Sequence, residues 1–196
     1  MLTSAKTNKY NTSHYRVHFI CIELSQFHKN KIKELESKDF EILLYDANTD
    51  YYKSVPIKIH VTAATFLKVD LPQLLPNVDK VLHIDADALV YKDLTTLYST
   101  DIGHFALGVV KSLYLQETDY ITRLGVKNGF NAGIMLMNLS LWREMTATKH
   151  LQDMLLQIPE DWRFLEQDCM SVYFQKQLYF LAPRNNACPY VWKRFN

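Results

Sequence analysis

Residues 81–90 read VLHIDADALV. An apolar run ends in two carboxylates, Asp85 and Asp87, with one alanine between them, and a second apolar run follows. Residues 80–85 carry the aliphatic and β-branched content of a strand. In an extended chain, side chains two apart share a direction, so both acids can be aimed at one point. Two like charges that close repel each other, and partial burial adds a desolvation cost. A divalent cation relieves both penalties. Carboxylate oxygens are hard donors that suit Mn²⁺ or Mg²⁺ and leave octahedral positions open. The same spacing also fits a solvated acidic turn between strands, and the short motif alone does not separate the two.

Working outward, residues 15–24 (YRVHFICIEL) and 40–45 (FEILLY) read as strands, with a helix over 26–37 capped by Ser25. Between these and the acidic turn, the 61–76 stretch predicts a short helix broken before Pro72 and Pro76. Beyond the turn, residues 88–91 read as extended, and Asp93 can cap a short helix ending at Tyr98. Residues 105–110 read as a strand, 116–124 as helical and 129–138 (GFNAGIMLMN) as an apolar segment entered through small residues. One long helix is expected over 139–158, stopped by Pro159, with Asn138 as its cap and Trp142 in the core. A helix over 166–175 and a strand over 178–182 close the pattern. Strands and helices alternate, which predicts an α/β fold with a mainly parallel central sheet flanked by helices. In such folds ligands bind in a crevice at the carboxyl ends of strands, where Asp85 and Asp87 fall.

The 196 residues suit one domain over 1–196 with a substantial core. Hydrophobic residues make up 48% and charged residues 22%, as in ordinary globular chains, and a net charge of +1 gives no field to draw in nucleic acid. No apolar stretch reaches the ~18 residues that span a bilayer, and the polar start MLTSAKTNKYNTSHY lacks the apolar centre of a signal peptide. The three cysteines are widely spaced, with no Cys-x-x-Cys pair. These features predict a reduced, cytoplasmic setting, with room for peripheral contact at the inner face of a membrane. Haloacid-dehalogenase-type phosphatases also place Asp-x-Asp after a strand. They usually carry Thr or Val where Leu89 stands, and the motif usually opens their domain, whereas some eighty residues precede it here.

The run VTAATFLKVDLPQLLPNVDKVLHIDADALVYKDLTTLYSTDIG resembles glycosyltransferase family 8, which includes bacterial lipopolysaccharide glucosyl- and galactosyltransferases and glycogenin. The resemblance continues through FNAGIMLMNLSLWRE and LEQDCM and covers about residues 15–186. It implies a GT-A type nucleotide-diphospho-sugar transferase fold and a retaining transfer. The hexose, glucose or galactose, would pass from a UDP-sugar donor to a glycan acceptor such as lipopolysaccharide. It implies Mn²⁺ or Mg²⁺ on Asp85 and Asp87, acting as a Lewis acid toward the departing nucleoside diphosphate. Lys68 matches a basic position that reaches toward the donor phosphates, although lysine lacks the fork of arginine. Asn131, Ala132 and Gly133 match a sugar-binding turn. Glu166 and Gln167 match an Asp-Gln pair beside the reacting carbon, and Asp168 is a further donor-site candidate. Without the resemblance, Lys68 reads as a solvated lysine, and Glu166 to Asp168 read as an acidic helix start.

The chain also departs from the family pattern. Relatives begin with a strand whose end holds uracil, and MLTSAKTNK resembles only the helix that follows that strand. A late His-x-x-Gly-x-x-Lys-Pro-Trp motif, which supplies a histidine metal ligand, would fall after Asn196. Lys111 stands near a place where many relatives have Asp. Of the seven histidines, His83 shares strand parity with Asp85, but two residues along a strand span ~6.6 Å, which favours a core or supporting role. The sequence therefore carries a second reading: a truncated or degenerate relative that keeps the fold with at most weak UDP and metal binding.

Overall fold

The computed structural model describes residues 1–56, 62–116 and 119–188. Among them, strands β1 (Tyr15–Cys21) and β2 (Phe40–Asp46) form a parallel pair. A second sheet holds β3 (Lys80–Ile84), β4 (Leu107–Lys111), β5 (Phe130–Asn138) and β6 (Leu178–Phe180) in the order β3-β5-β4-β6. The helices are α1 (Leu2–Asn8), α2 (Gln26–Lys33), α3 (Leu71–Leu74), α4 (Thr95–Tyr98), α5 (Leu113–Gln116), α6 (Tyr120–Arg123), α7 (Leu139–Glu144), α8 (Ala147–Leu156) and α9 (Glu166–Tyr173).

The α/β class is as expected, but the sheet is mixed rather than mainly parallel. β5 runs antiparallel to both β3 and β4, while β6 is parallel to β4. Alternation of strands and helices along a chain does not fix strand direction; β5 enters between two neighbours and runs against both. Three local expectations also change. Residues 88–91 do not extend β3, because the chain turns at Ala86 and Asp87 and then runs irregularly. Pro72 lies inside the first turn of α3, where its missing N–H has no helical partner to lose. The long helix over 139–158 is split into α7 and α8 by Thr146, whose φ of 50° is left-handed. That conformation is costly for a β-branched residue. It is held by tertiary contact, with Tyr173 Oη donating to the Met145 carbonyl at 3.2 Å. The expected helix over 116–124 is two short helices, α5 and α6, and residues 117–118 lie outside the described residues.

The main core lies where α7, α8 and α9 cover β4 and β5. Leu107, Val109, Met135 and Met137 are fully buried, as is Trp142, whose indole N–H donates to the Ala106 carbonyl at 3.1 Å. Asn138 caps α7, its side chain accepting from Leu141 N. A smaller core joins α1 to β2 through Leu2, Ala5, Phe40, Ile42 and Val90.

β1 and β3 each end their sheet, and a cleft of about 1050 Å³ runs between them. Consecutive residues of both strands line it. Adjacent side chains point to opposite faces of a strand, so it is the strand edges, and not one face, that border the cleft. At one end the cleft reaches Lys68, His83, Asp85 and Asp87. Helix α1 fixes that end. Val90 N donates to Ser4 Oγ at 3.0 Å. Asn8 Nδ2 donates to the Val90 carbonyl at 2.8 Å. A short segment with no regular structure of its own thereby gains a hydrogen-bonded support.

Candidate functional site

The site is built at the carboxyl end of β3. Asp85 N donates to the Gly133 carbonyl at 2.9 Å, carrying the β3–β5 ladder one residue past the strand and placing Asp85 against the FNAG turn. A Cβ on Gly133 would stand 2.9 Å from Asn131 Oδ1 and 3.2 Å from Asp85 Oδ2. Only glycine lets these two polar side chains come so close to the backbone. Asn131 is held from both sides: its Oδ1 accepts from Gly133 N at 3.0 Å and from Asn186 Nδ2 at 2.9 Å.

Lys68 ends a 3₁₀ turn, Ala63–Lys68, anchored by the buried Phe66 and Leu67. Its side chain is only 5% exposed, which departs from the solvated lysine that the sequence alone suggested. A buried ammonium needs counter-charge. Lys68 Nζ lies 3.4 Å from Asp85 Oδ1, 3.3 Å from Glu166 Oε1 and 3.5 Å from the Ala132 carbonyl. These contacts are long, so the ammonium sits between two carboxylates without closing tightly on either. One lysine thus joins the end of β3, the FNAG turn and the start of α9.

The start of α9 is preceded by Leu165, a buried residue at φ 43°. Such a conformation persists only where the surroundings enforce it. From it follow Glu166, Gln167 and Asp168, all buried. Gln167 Oε1 accepts from Ala132 N at 2.9 Å, which ties its amide to the FNAG turn. Asp168 Oδ2 accepts from Tyr120 Oη at 2.5 Å and from Phe164 N at 2.7 Å, so Asp168 fastens α9 to α6 and to its own approach segment.

Burial pushes the Glu166 carboxyl up to about 7, against the lowering effect of Lys68. It can therefore hold or release a proton near neutrality. Burial also pushes Asp85 up, but the His83 hydrogen bond and the Lys68 charge together outweigh it and hold Asp85 below the usual carboxylate range. His83 Nε2 lies 3.0 Å from Asp85 Oδ1. The two side chains lean together across the strand step.

The structure thus gathers Lys68, Asp85, Asn131, Ala132, Gly133, Glu166 and Gln167 into one connected group. Asp87 stands apart on the turn, exposed, and among the described residues it has no hydrogen-bonding partner. Lys111 lies elsewhere, its ammonium 4.5 Å from the centre of the Phe180 ring. Sequence reasoning missed Asn186 and Tyr120, which hold Asn131 and Asp168 from 55 and 48 residues away. Neither sits in a periodic pattern or motif that could have pointed to it.

The sequence profile of Glycosyl transferase family 8 matches residues 1–194. The chain belongs to that family. General stress protein A of Bacillus subtilis (strain 168) is 26% identical over 97% of this chain and 69% of its own length. The lipopolysaccharide 1,2-glucosyltransferase of Escherichia coli (strain K12) is 24% identical over 82% of this chain and 49% of its own length. Other curated relatives are matched over 28% to 41% of their length. Among solved structures, the galactosyltransferase LgtC in complex with donor and acceptor sugar analogs is 25% identical. It superposes with a TM-score of 0.86 over 93% of this chain and 67% of that one. The family 8 chain therefore has the GT-A glycosyltransferase fold.

The donor chemistry fits a hard divalent ion in part. Asp85 and Asp87 supply carboxylate oxygens. Among the described residues no group of three or more His, Cys, Asp or Glu side chains is assembled to hold a metal.

Proposed function

We propose that this family 8 chain carries the donor site of a retaining hexosyltransferase that uses a UDP-sugar. The observation that carries the proposal is the position of Lys68, whose ammonium lies within 3.5 Å of Asp85, Glu166 and the Ala132 carbonyl. It links the acidic turn to the residues assigned beside the reacting sugar. Asp85 and Asp87 would hold Mn²⁺ or Mg²⁺, which supplies Lewis-acid stabilisation of the leaving diphosphate. Lys68 places positive charge next to that diphosphate. Asn131, Ala132 and Gly133 would form the close-approach turn for the sugar, and Asn131, whose Oδ1 already accepts from Gly133 N and Asn186 Nδ2, would offer its Nδ2 donors to hydroxyl groups.

Gln167 is fixed by Ala132 N with one carbonyl lone pair still available. It would stabilise positive charge on the sugar ring without having to move. Glu166, ionising near 7, would accept or return a proton at its Oε atoms as the acceptor hydroxyl attacks. Asp168 would act through its hold on α9. The acceptor would be a glycan such as lipopolysaccharide, as in the Escherichia coli relative, glucose or galactose the sugar moved, and a cytoplasmic site at the inner face of a membrane the setting. No helix among the described residues is long and apolar enough to cross a membrane, so any membrane contact would be peripheral.

A second reading is a relative that keeps the fold and binds UDP without turnover. Calorimetry with UDP, with and without Mn²⁺, and an assay of UDP-hexose hydrolysis test the two together. Metal-dependent heat with hydrolysis supports the transferase, and heat without hydrolysis supports the binding relative. No metal-dependent heat sinks both. Asp87→Ala is expected to abolish hydrolysis, and unchanged hydrolysis in that variant would rule out the acidic turn as the metal site.

A further inference from the structure

His83 lies two residues before Asp85, inside the VLHIDADALV run. Its position on β3 pairs it with Met135 of β5, among the apolar pairs Val81–Met137 and Ile84–Ile134. A polar ring in such a row needs a partner. It finds one in Asp85, with Nε2 at 3.0 Å from Oδ1. Lys68 Nζ approaches that same oxygen, at 3.4 Å. Among the described residues the other oxygen, Oδ2, accepts no hydrogen bond. Oδ2 lies beside Gly133, where a Cβ would stand 3.2 Å from it. The two carboxylate oxygens are thus unlike: one is occupied by two donors, and one lies against Gly133 and, among the described residues, accepts no hydrogen bond.

We propose that His83 is a positioning residue of the acidic turn, donating Nε2–H to Asp85 Oδ1 so that Oδ2 is the oxygen presented to a divalent cation. The use of Oδ2 rests on the metal site proposed above; the donation from His83 does not. An ionised carboxylate only accepts, so at 3.0 Å the proton facing Asp85 Oδ1 must sit on Nε2. This is the support usually given to a metal ligand by a neighbouring hydrogen-bonding group, here with histidine as the support and aspartate as the ligand. Without His83, the carboxylate would be free to rotate onto Lys68 and close the ion pair that is now long.

Two measurements on the full chain test this. A long-range ¹H–¹⁵N spectrum of the metal-free protein should show His83 protonated on Nε2. A proton on Nδ1 with Nε2 bare overturns the proposal. Mn²⁺ titration followed by electron paramagnetic resonance should then separate two variants. His83→Leu should bind Mn²⁺ roughly 10- to 100-fold more weakly, the usual effect of removing a partner of a metal ligand. His83→Gln, which keeps a donor at similar reach, should stay within about threefold of the unsubstituted chain, by the same reasoning. Equal Mn²⁺ affinity in all three proteins overturns the proposal. If His83→Leu fails to fold, the spectrum and His83→Gln still decide, since weakening in His83→Gln as large as that expected for leucine would show that the donor is not what matters. If the unsubstituted chain takes up no Mn²⁺ while the Nε2–H signal is present, the metal site fails and the His83 donation stands.

Discussion

β4 and β3 have similarly apolar sequences, LGVVK and KVLHI, and opposite situations. β4 lies between β5 and β6, and its first four residues are buried. β3 pairs with β5 on one side only, and all five of its residues are half-buried along the cleft. Strand propensity set both as strands, while pairing among the described residues decided how deeply each is buried. At the carboxyl end of β3, Asp85 meets Lys68.

The largest expected effect tests this contrast directly. Leu107→Ala in β4 should cost roughly 3–5 kcal/mol, the upper range for a fully buried leucine, and Leu82→Ala in β3 about 1–2 kcal/mol. Equal costs by chemical denaturation would mean that the cleft closes in solution and that β3 is as enclosed as β4. Next is the charge held at the cleft's end. The Glu166 carboxyl is raised from 4.5 to about 7 in the folded chain. Between those values the folded state binds more protons than the unfolded one, so this group's contribution favours folding most at low pH and is lost as pH rises through 7. At about 1.4 kcal/mol per unit, Glu166→Gln should gain up to about 3 kcal/mol relative to the unsubstituted chain between pH 4.5 and pH 8. A pH-independent difference would show that Lys68 keeps Glu166 ionised throughout. The smallest effect on stability is expected at the turn. Gly133→Ala should cost about 1–3 kcal/mol through overpacking, yet weaken Mn²⁺ binding by about tenfold because the new methyl meets Asp85 Oδ2. A loss of stability with unchanged Mn²⁺ affinity would place the ion elsewhere.

Much of this was legible along the chain. The strands around 15–21, 40–46 and 80–84 show as apolar and β-branched runs, and Asn138 shows as a cap because capping acts over three residues. The acidic turn and the FNAG segment could be found for the same reason: each is a local pattern with its own chemistry. Trp142 was legible as core from its size and apolar neighbours. The break at Thr146 was not, because the sequence over 139–158 is helix-compatible; at the break the Met145 carbonyl accepts from Tyr173 of another helix. The direction of β5 was not, because strand order and sense are settled by pairing between distant segments.

What the sequence by itself determined is the set of elements and the residue types brought to the end of β3. Helical and extended periods are properties of adjacent residues, so they can be read one segment at a time. What only the tertiary structure decided is that Lys68 is buried at the end of β3 between Asp85 and Glu166, 17 and 98 residues away in sequence. It also decided that His83 reaches Asp85 despite the length of a strand step. Burial, charge pairing and the raised Glu166 carboxyl depend on distances through space, which a linear order of residues does not contain.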